Sequence, residues 1–150
     1  KAWTLDLIGS GPYEDKNRAL ARELGLAERV RFLGYRTDVP DRMAESDVNV
    51  LITNWEGLPR SIIEAMRAGL PTVASDVGGN RELVADDRTG YLAPRGDVDA
   101  VADRLAGLID DRHKRRALGA DARHCYEQSF TFAAMFDKTM AVYRKILATA

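Results

Sequence analysis

What most restricts the folds open to this chain is the regular alternation of short apolar runs with helix-period segments over its first two thirds. The run Trp3-Thr4-Leu5-Asp6-Leu7-Ile8 alternates, turns apolar and enters Gly9-Ser10-Gly11-Pro12, which reads as a strand ending in a turn. Residues 14–25 then place Leu20, Ala21 and Leu24 at helical spacing, with Gly25 as a stop. The pattern continues with a strand at Val30 to Leu33, a short helix around Val39 to Ala44 and a strand at Val48 to Ile52. A helix from Pro59 to Ala68, a strand at Thr72 to Ser75, a shorter helix over Arg81 to Val84 and a strand at Gly90 to Ala93 complete it. Such spacing implies an α/β fold, with a parallel sheet of about five strands covered by helices on both faces.

Beyond residue 96 the pattern is helical only. Val98, Val101, Leu105, Leu108 and Ile109 recur at helical spacing, followed by Leu118, Ala122 and Cys125. A last helix carries Phe132, Met135, Phe136, Met140, Tyr143 and Ile146 along one stripe, expected to face the core. No linker or repeat divides the sequence, so residues 1–150 are expected to form one domain.

Charge and cysteine content exclude several functions. A formal net charge of -1 provides no general positive field for nucleic acid or anionic lipid, so any phosphate recognition is local. The cluster from Arg112 to Arg116 reads as a solvated helix face, and His113 and His124 as surface residues. One cysteine, Cys125, rules out an internal disulfide framework and a Cys-rich zinc site, and suits a reducing cytoplasm. No apolar run approaches the ~20 residues that span a bilayer, and residues 1–20 lack a signal-peptide pattern.

In open parallel sheets ligands gather beyond the carboxyl ends of the strands. The loop after Ile52 is the most informative: Thr53-Asn54-Trp55-Glu56-Gly57-Leu58-Pro59-Arg60-Ser61-Ile62-Ile63-Glu64. Pro59 suits the first helical position, which leaves the N–H groups of Arg60 and Ser61 unpaired at the positive end of the helix dipole. That arrangement can receive a diphosphate. Gly57 allows close approach, while Glu56 and Glu64 would accept from hydroxyl groups: sugar hydroxyls at Glu56, ribose hydroxyls at Glu64. The competing explanation is an exposed Arg60–Glu64 pair on a polar helix face, contributing about 0 to 1 kcal/mol without any ligand. Two other phosphate signatures fail. Glu14 stands where Gly9-Ser10-Gly11 would need a third glycine, and no Gly-Lys-Ser/Thr is present. Asp86-Asp87 reads as a turn, and Asp76 with Gly78-Gly79 as a loop at the rim of the site.

The stretch EGLPRSIIEAMRAGLP at Glu56 to Pro71 closely resembles the donor-binding, C-terminal lobe of GT-B fold retaining glycosyltransferases of family 4. Those enzymes carry two glutamates separated by seven residues, as Glu56 and Glu64 are. The resemblance extends through LIGSGPY at Leu7, RVRFLGY at Arg29, TVASDVGG at Thr72 and ELVADDRTGYLAP at Glu82. It implies a Rossmann-like lobe in which Glu56 acts catalytically on the transferred sugar together with the backbone of Gly57 and Leu58. It further implies that Arg60 and Ser61 meet the diphosphate, Glu64 holds the ribose, the main chain at Tyr35 meets the nucleobase and Arg36 covers it.

The same resemblance implies parts that this sequence does not contain. An Arg and a Lys in the first strand-helix unit of such a lobe grip the diphosphate, and neither that unit nor the acceptor-binding lobe is present. Without that central strand, the strands at Trp3 and Val48 would lack their shared neighbour. An altered sheet, a strand supplied by a partner chain, or a chain that is part of a longer molecule would each account for this. The expected substrate is a nucleotide sugar, UDP-linked by resemblance, with no cofactor or metal. The expected setting is the cytoplasm, with any contact at the inner membrane face left to the missing lobe. A nucleotide-sugar epimerase lobe and a non-catalytic nucleotide-binding module are the alternatives.

Overall fold

The computed structural model describes residues 2–148, and the chain divides into two compact units, Lys1–Arg42 and Met43–Ala150. In the first unit, β1 (Leu5–Ile8) and β2 (Val30–Gly34) form a parallel ladder that begins with Leu5 beside Val30, and α1 (Glu14–Glu23) connects them. Little apolar surface is buried here: among the described residues of this unit Ala21 alone is a buried hydrophobic. Polar side chains reinforce the ladder instead. Arg31 makes two hydrogen bonds to Asp6 at 2.5 and 2.9 Å across the strands, and the Arg18 guanidinium lies 4.4 Å from the centre of the Phe32 ring. The short helix α2 (Val39–Ala44) follows β2.

In the second unit, β3 (Asn49–Leu51), β4 (Thr72–Ser75) and β5 (Gly90–Ala93) form a parallel sheet in that order. Every residue of β4 is buried, and its alternating side chains serve two cores. On one face Ala74 joins Ile62 and Met66 of α3 (Arg60–Ala68), Leu83 of α4 (Asn80–Leu83) and Ala122 of α6 (Arg112–Ser129). On the other, Val73 and Tyr91 pack with Leu108 of α5 (Val98–Asp110) and with Leu118. Burial of side chains as large as Ile62, Met66 and Leu108 stabilises by about 1.5–3 kcal/mol each. Gly69, at φ 72°, ends α3 in the left-handed conformation, and the N–H of the buried Leu70 reaches back to the Ala65 carbonyl at 3.0 Å.

Three sequence expectations change. The five strands occur, but in two parallel sheets, so β1 and β3 each have one strand partner. Pro59 is the N-cap of α3 rather than its first helical residue: its ψ of 116° is extended, and the helix begins at Arg60. The third change concerns α7 (Phe132–Leu147), whose stripe is not core. Phe132 is 76% exposed and Ile146 58%, and no residue of the helix is fully buried. Amphipathic spacing identifies a face in need of cover, and among the described residues the contact of α7 with α6 leaves that face exposed. Val98, at the start of α5, is likewise exposed while Leu108 is buried. No described helix is long and apolar enough to cross a membrane.

Candidate functional site

The turn between β3 and α3 is held from both ends. The Thr53 N–H donates to the Ser75 hydroxyl at 3.0 Å, tying its start to the end of β4, and Pro59 is buried at its exit. Between these anchors the chain is open: Trp55 is 79% exposed, Leu58 is 52% exposed and Gly57 is exposed, while Glu56 is half-buried. The turn is therefore fixed in place without being filled by the protein's own side chains.

Its main-chain donors are its most distinctive property. Pro59 has no N–H, and the four amides of Gly57, Leu58, Arg60 and Ser61 have no acceptor among the described residues. The first bond closing the helix runs from the Ile62 N–H to the Pro59 carbonyl at 3.2 Å. Unpaired amides at a helix entry, with the dipole behind them, attract an anion. The shift of Pro59 to the cap keeps this property, because Arg60 and Ser61 then occupy the first two helical positions.

Glu56 and Glu64 flank these donors along the chain, one before the turn and one inside α3. The Arg60–Glu64 pair anticipated as the ligand-free explanation is present but loose, at 3.8 Å, with the Arg60 side chain 90% exposed. At that separation and exposure, the pair contributes between nothing and about 1 kcal/mol, and it leaves the Arg60 guanidinium free to meet another partner.

The wall behind the turn is the segment after β4. Asn80, fully buried, donates its side-chain amide to the Ser75 carbonyl at 2.8 Å, and its Oδ1 has no partner among the described residues. The Asp76 carboxylate is paired with Arg81, which raises the guanidinium pKa. Asp76 thus fixes the loop it belongs to. Beyond the ends of β3, β4 and β5 lies a mostly apolar cleft of about 190 Å³, lined by Ile52, Pro94, Val98 and Val101 among others, with Ser75 and Asp97 as its polar members. Sequence reasoning missed Ser75 and Asn80. Their signal, small or amide residues at a strand end followed by a glycine pair, is weak without the contacts.

Tyr35 and Arg36 belong to the first unit. Tyr35, after the positive-φ Gly34, is 83% exposed. Arg36 is engaged: its guanidinium makes two bonds to Asp38 at 2.7 and 2.6 Å, and Arg42 adds a third at 3.2 Å. The hydrogen bonds from Arg36, aided by its charge, hold the Asp38 carboxyl well below the usual carboxylate range. Six of the eight predicted site residues therefore occupy one turn and the helix it enters, while Tyr35 and Arg36 lie in a separate unit.

The profile of the family described as glycosyl transferases group 1 matches residues 1–124. N-acetyl-alpha-D-glucosaminyl L-malate synthase of Bacillus anthracis is 31% identical over 141 residues, 94% of this chain and 37% of the relative. The UDP-Gal:alpha-D-GlcNAc-diphosphoundecaprenol alpha-1,3-galactosyltransferase of Escherichia coli is 32% identical over 138 residues, 91% of this chain and 35% of the relative. Among solved structures, Anabaena Alr3699/HepE in complex with UDP superposes with a TM-score of 0.87 at 30% identity, over 95% of this chain and 41% of that one. The same protein is also known in complex with UDP-glucose. This chain spans little more than a third of the length of the curated relatives it matches.

Proposed function

The chain belongs to the glycosyl transferases group 1 family, and from that premise we propose that it is the donor-binding lobe of a two-lobed glycosyltransferase that moves a sugar from a nucleoside diphosphate to a hydroxyl acceptor. The observation that carries this reading is the run of four amides between Gly57 and Ser61 that have no acceptor among the described residues, with Glu56 on one side and Glu64 on the other. A nucleotide sugar offers groups in the matching order: sugar hydroxyls for Glu56, a diphosphate for the amides and the Arg60 guanidinium, ribose hydroxyls for Glu64.

In that arrangement the lobe contributes preorganised charge. Cleavage of the bond between the anomeric carbon and the diphosphate leaves negative charge on the phosphate oxygen, and the Arg60 and Ser61 N–H groups already face a site for it. Glu56 orients the sugar through its hydroxyls while the acceptor attacks. We assign the reaction retention at the anomeric carbon and no cofactor beyond the donor itself. A UDP-linked donor is favoured by the UDP and UDP-glucose complexes of Alr3699/HepE and by the name of the Escherichia coli relative. Those relatives' greater length supports an acceptor-binding lobe outside this chain, and the diphosphoundecaprenol-linked acceptor in the name of the Escherichia coli relative favours a lipid-linked acceptor, which would place the reaction at a membrane face.

Substitution tests the assignment. In a full-length protein, Glu56→Ala should lower turnover by roughly 10²-fold or more, while unfolding stability changes by less than about 1 kcal/mol. A parallel loss of stability and activity would reduce Glu56 to a structural residue. The 150-residue chain by itself should transfer no sugar, and product release from it would remove the need for a second lobe.

A further inference from the structure

Gly78 and Gly79, in the loop after β4, lie directly against the turn that carries Glu56. A Cβ on Gly78 would fall far inside contact distance of the Glu56 carbonyl oxygen, with the carbonyl carbon behind it at 3.2 Å. A Cβ on Gly79 would collide with the Gly57 carbonyl oxygen, with its carbon at 2.8 Å and the Leu58 Cα at 3.3 Å. In both cases the oxygen stands nearer than its own carbon by most of the ~1.23 Å length of a C=O bond. Both carbonyls therefore point at the glycine pair. The Gly79 N–H donates to the first of them, the Glu56 carbonyl, at 3.3 Å.

Backbone conformation does not explain Gly79. Its φ of -69° and ψ of -4° are open to any L-residue. What the position needs is the missing side chain. Gly78 has φ 45°, so a side chain there would be strained as well as obstructed.

A planar trans peptide carries its N–H on the side opposite its C=O. With the Glu56 and Gly57 carbonyls on the glycine pair, the N–H groups of Gly57 and Leu58 face the other way, where they have no acceptor among the described residues. We propose that Gly78 and Gly79 are positioning residues that orient these two peptide planes, so that the Gly57 and Leu58 amides stand ready as a paired donor for diphosphate oxygens before the ligand arrives. This rests on the reading of the turn as a nucleotide-sugar site. A side chain at either glycine would push the carbonyls off and rotate the amides away, losing a donor pair fixed in advance of binding.

Gly79→Ala in the 150-residue chain is the direct test, with UDP as the probe and Gly107→Ala, where a Cβ meets nothing within 4 Å, as the control. By calorimetry the wild-type chain and Gly107→Ala should bind UDP alike, and a folded Gly79→Ala should bind at least about tenfold more weakly. Equal binding by a folded Gly79→Ala would overturn the proposal. Amide NMR on the wild-type chain needs no folded variant. The Gly57 and Leu58 amides should exchange rapidly with solvent in the free chain and shift when UDP is added. Protection of either amide in the free chain, or UDP binding that leaves both unmoved, would also overturn it. If no resonance of the wild-type chain responds to UDP, the nucleotide-site reading fails; the exchange measurement then still decides whether the glycines set the peptide planes.

Discussion

Helices α3 and α7 both carry an apolar stripe, and the protein treats them in opposite ways. In α3 the stripe is closed over: Ile62 is 0% and Met66 2% exposed, packed against β4 and α6. In α7 Phe136 is 51% and Tyr143 57% exposed, and the Phe132 and Phe136 rings stack on each other at 6.4 Å. An anion site at a helix entry needs a helix that cannot shift, and the buried underside of α3 fixes the amides at its start. The open stripe of α7 supplies no such anchoring within this chain.

The largest test of that contrast is truncation of each stripe. Ile62→Ala should cost about 2–5 kcal/mol in urea unfolding of this chain, through lost burial and the cavity left behind. Phe136→Ala should stay within about 0.5 kcal/mol. Comparable losses would mean that α7 is packed after all. Next in size is Asn80→Ala behind the site, expected to cost about 1 kcal/mol, at the low end for a buried hydrogen bond because its unpaired Oδ1 leaves with it.

Helix caps sharpen the contrast further. The Asp97 carboxylate accepts from the Ala100 N–H at 2.9 Å at the start of α5, and the Thr131 hydroxyl from Ala134 at 3.2 Å at the start of α7. Asp97→Ala should lower the unfolding free energy by about 0.5–2 kcal/mol. Thr131→Ala should reduce helical circular dichroism while leaving the urea midpoint unchanged, because α7 adds little to the cooperative core. Smallest of all is Arg60→Ala, within about 0.5 kcal/mol for an exposed, loose pair.

Acid should distinguish polar from apolar support. Asp111 caps α6, and its carboxyl is held below the ordinary range chiefly by the Lys114 N–H it accepts; burial opposes that shift. A carboxylate depressed in the folded state adds stability above its unfolded pKa of about 3.9, and that stability is lost as pH falls through the folded value. Asp38 behaves the same way through Arg36. Urea midpoints should hold their contribution from these groups down to about pH 4 and lose it below. Asp111→Asn should flatten part of that decline.

Much of this was legible beforehand because it follows from periodicity. The order of strands and helices and the α3 segment read directly from spacing, while the glutamates around it were singled out by the family resemblance. Other features depend on long-range packing. The open stripe of α7 has the same residue pattern as a buried one, and what separates them is that no element among the described residues covers it. Pro59 fits both the cap and the first helical position, and its ψ of 116° decides between them. The part played by Gly79 was hidden because its φ of -69° is ordinary; its requirement comes from Gly57, distant in sequence. Arg36 reads as a free cation until Asp38, two residues on, is seen to engage it.

A crystal structure of this chain grown with UDP bears most directly on the central claim. Diphosphate oxygens should lie within hydrogen-bond distance of the Arg60 and Ser61 amides, with the Glu64 carboxylate on the ribose hydroxyls. A diphosphate bound elsewhere, with those amides still unoccupied, would contradict it.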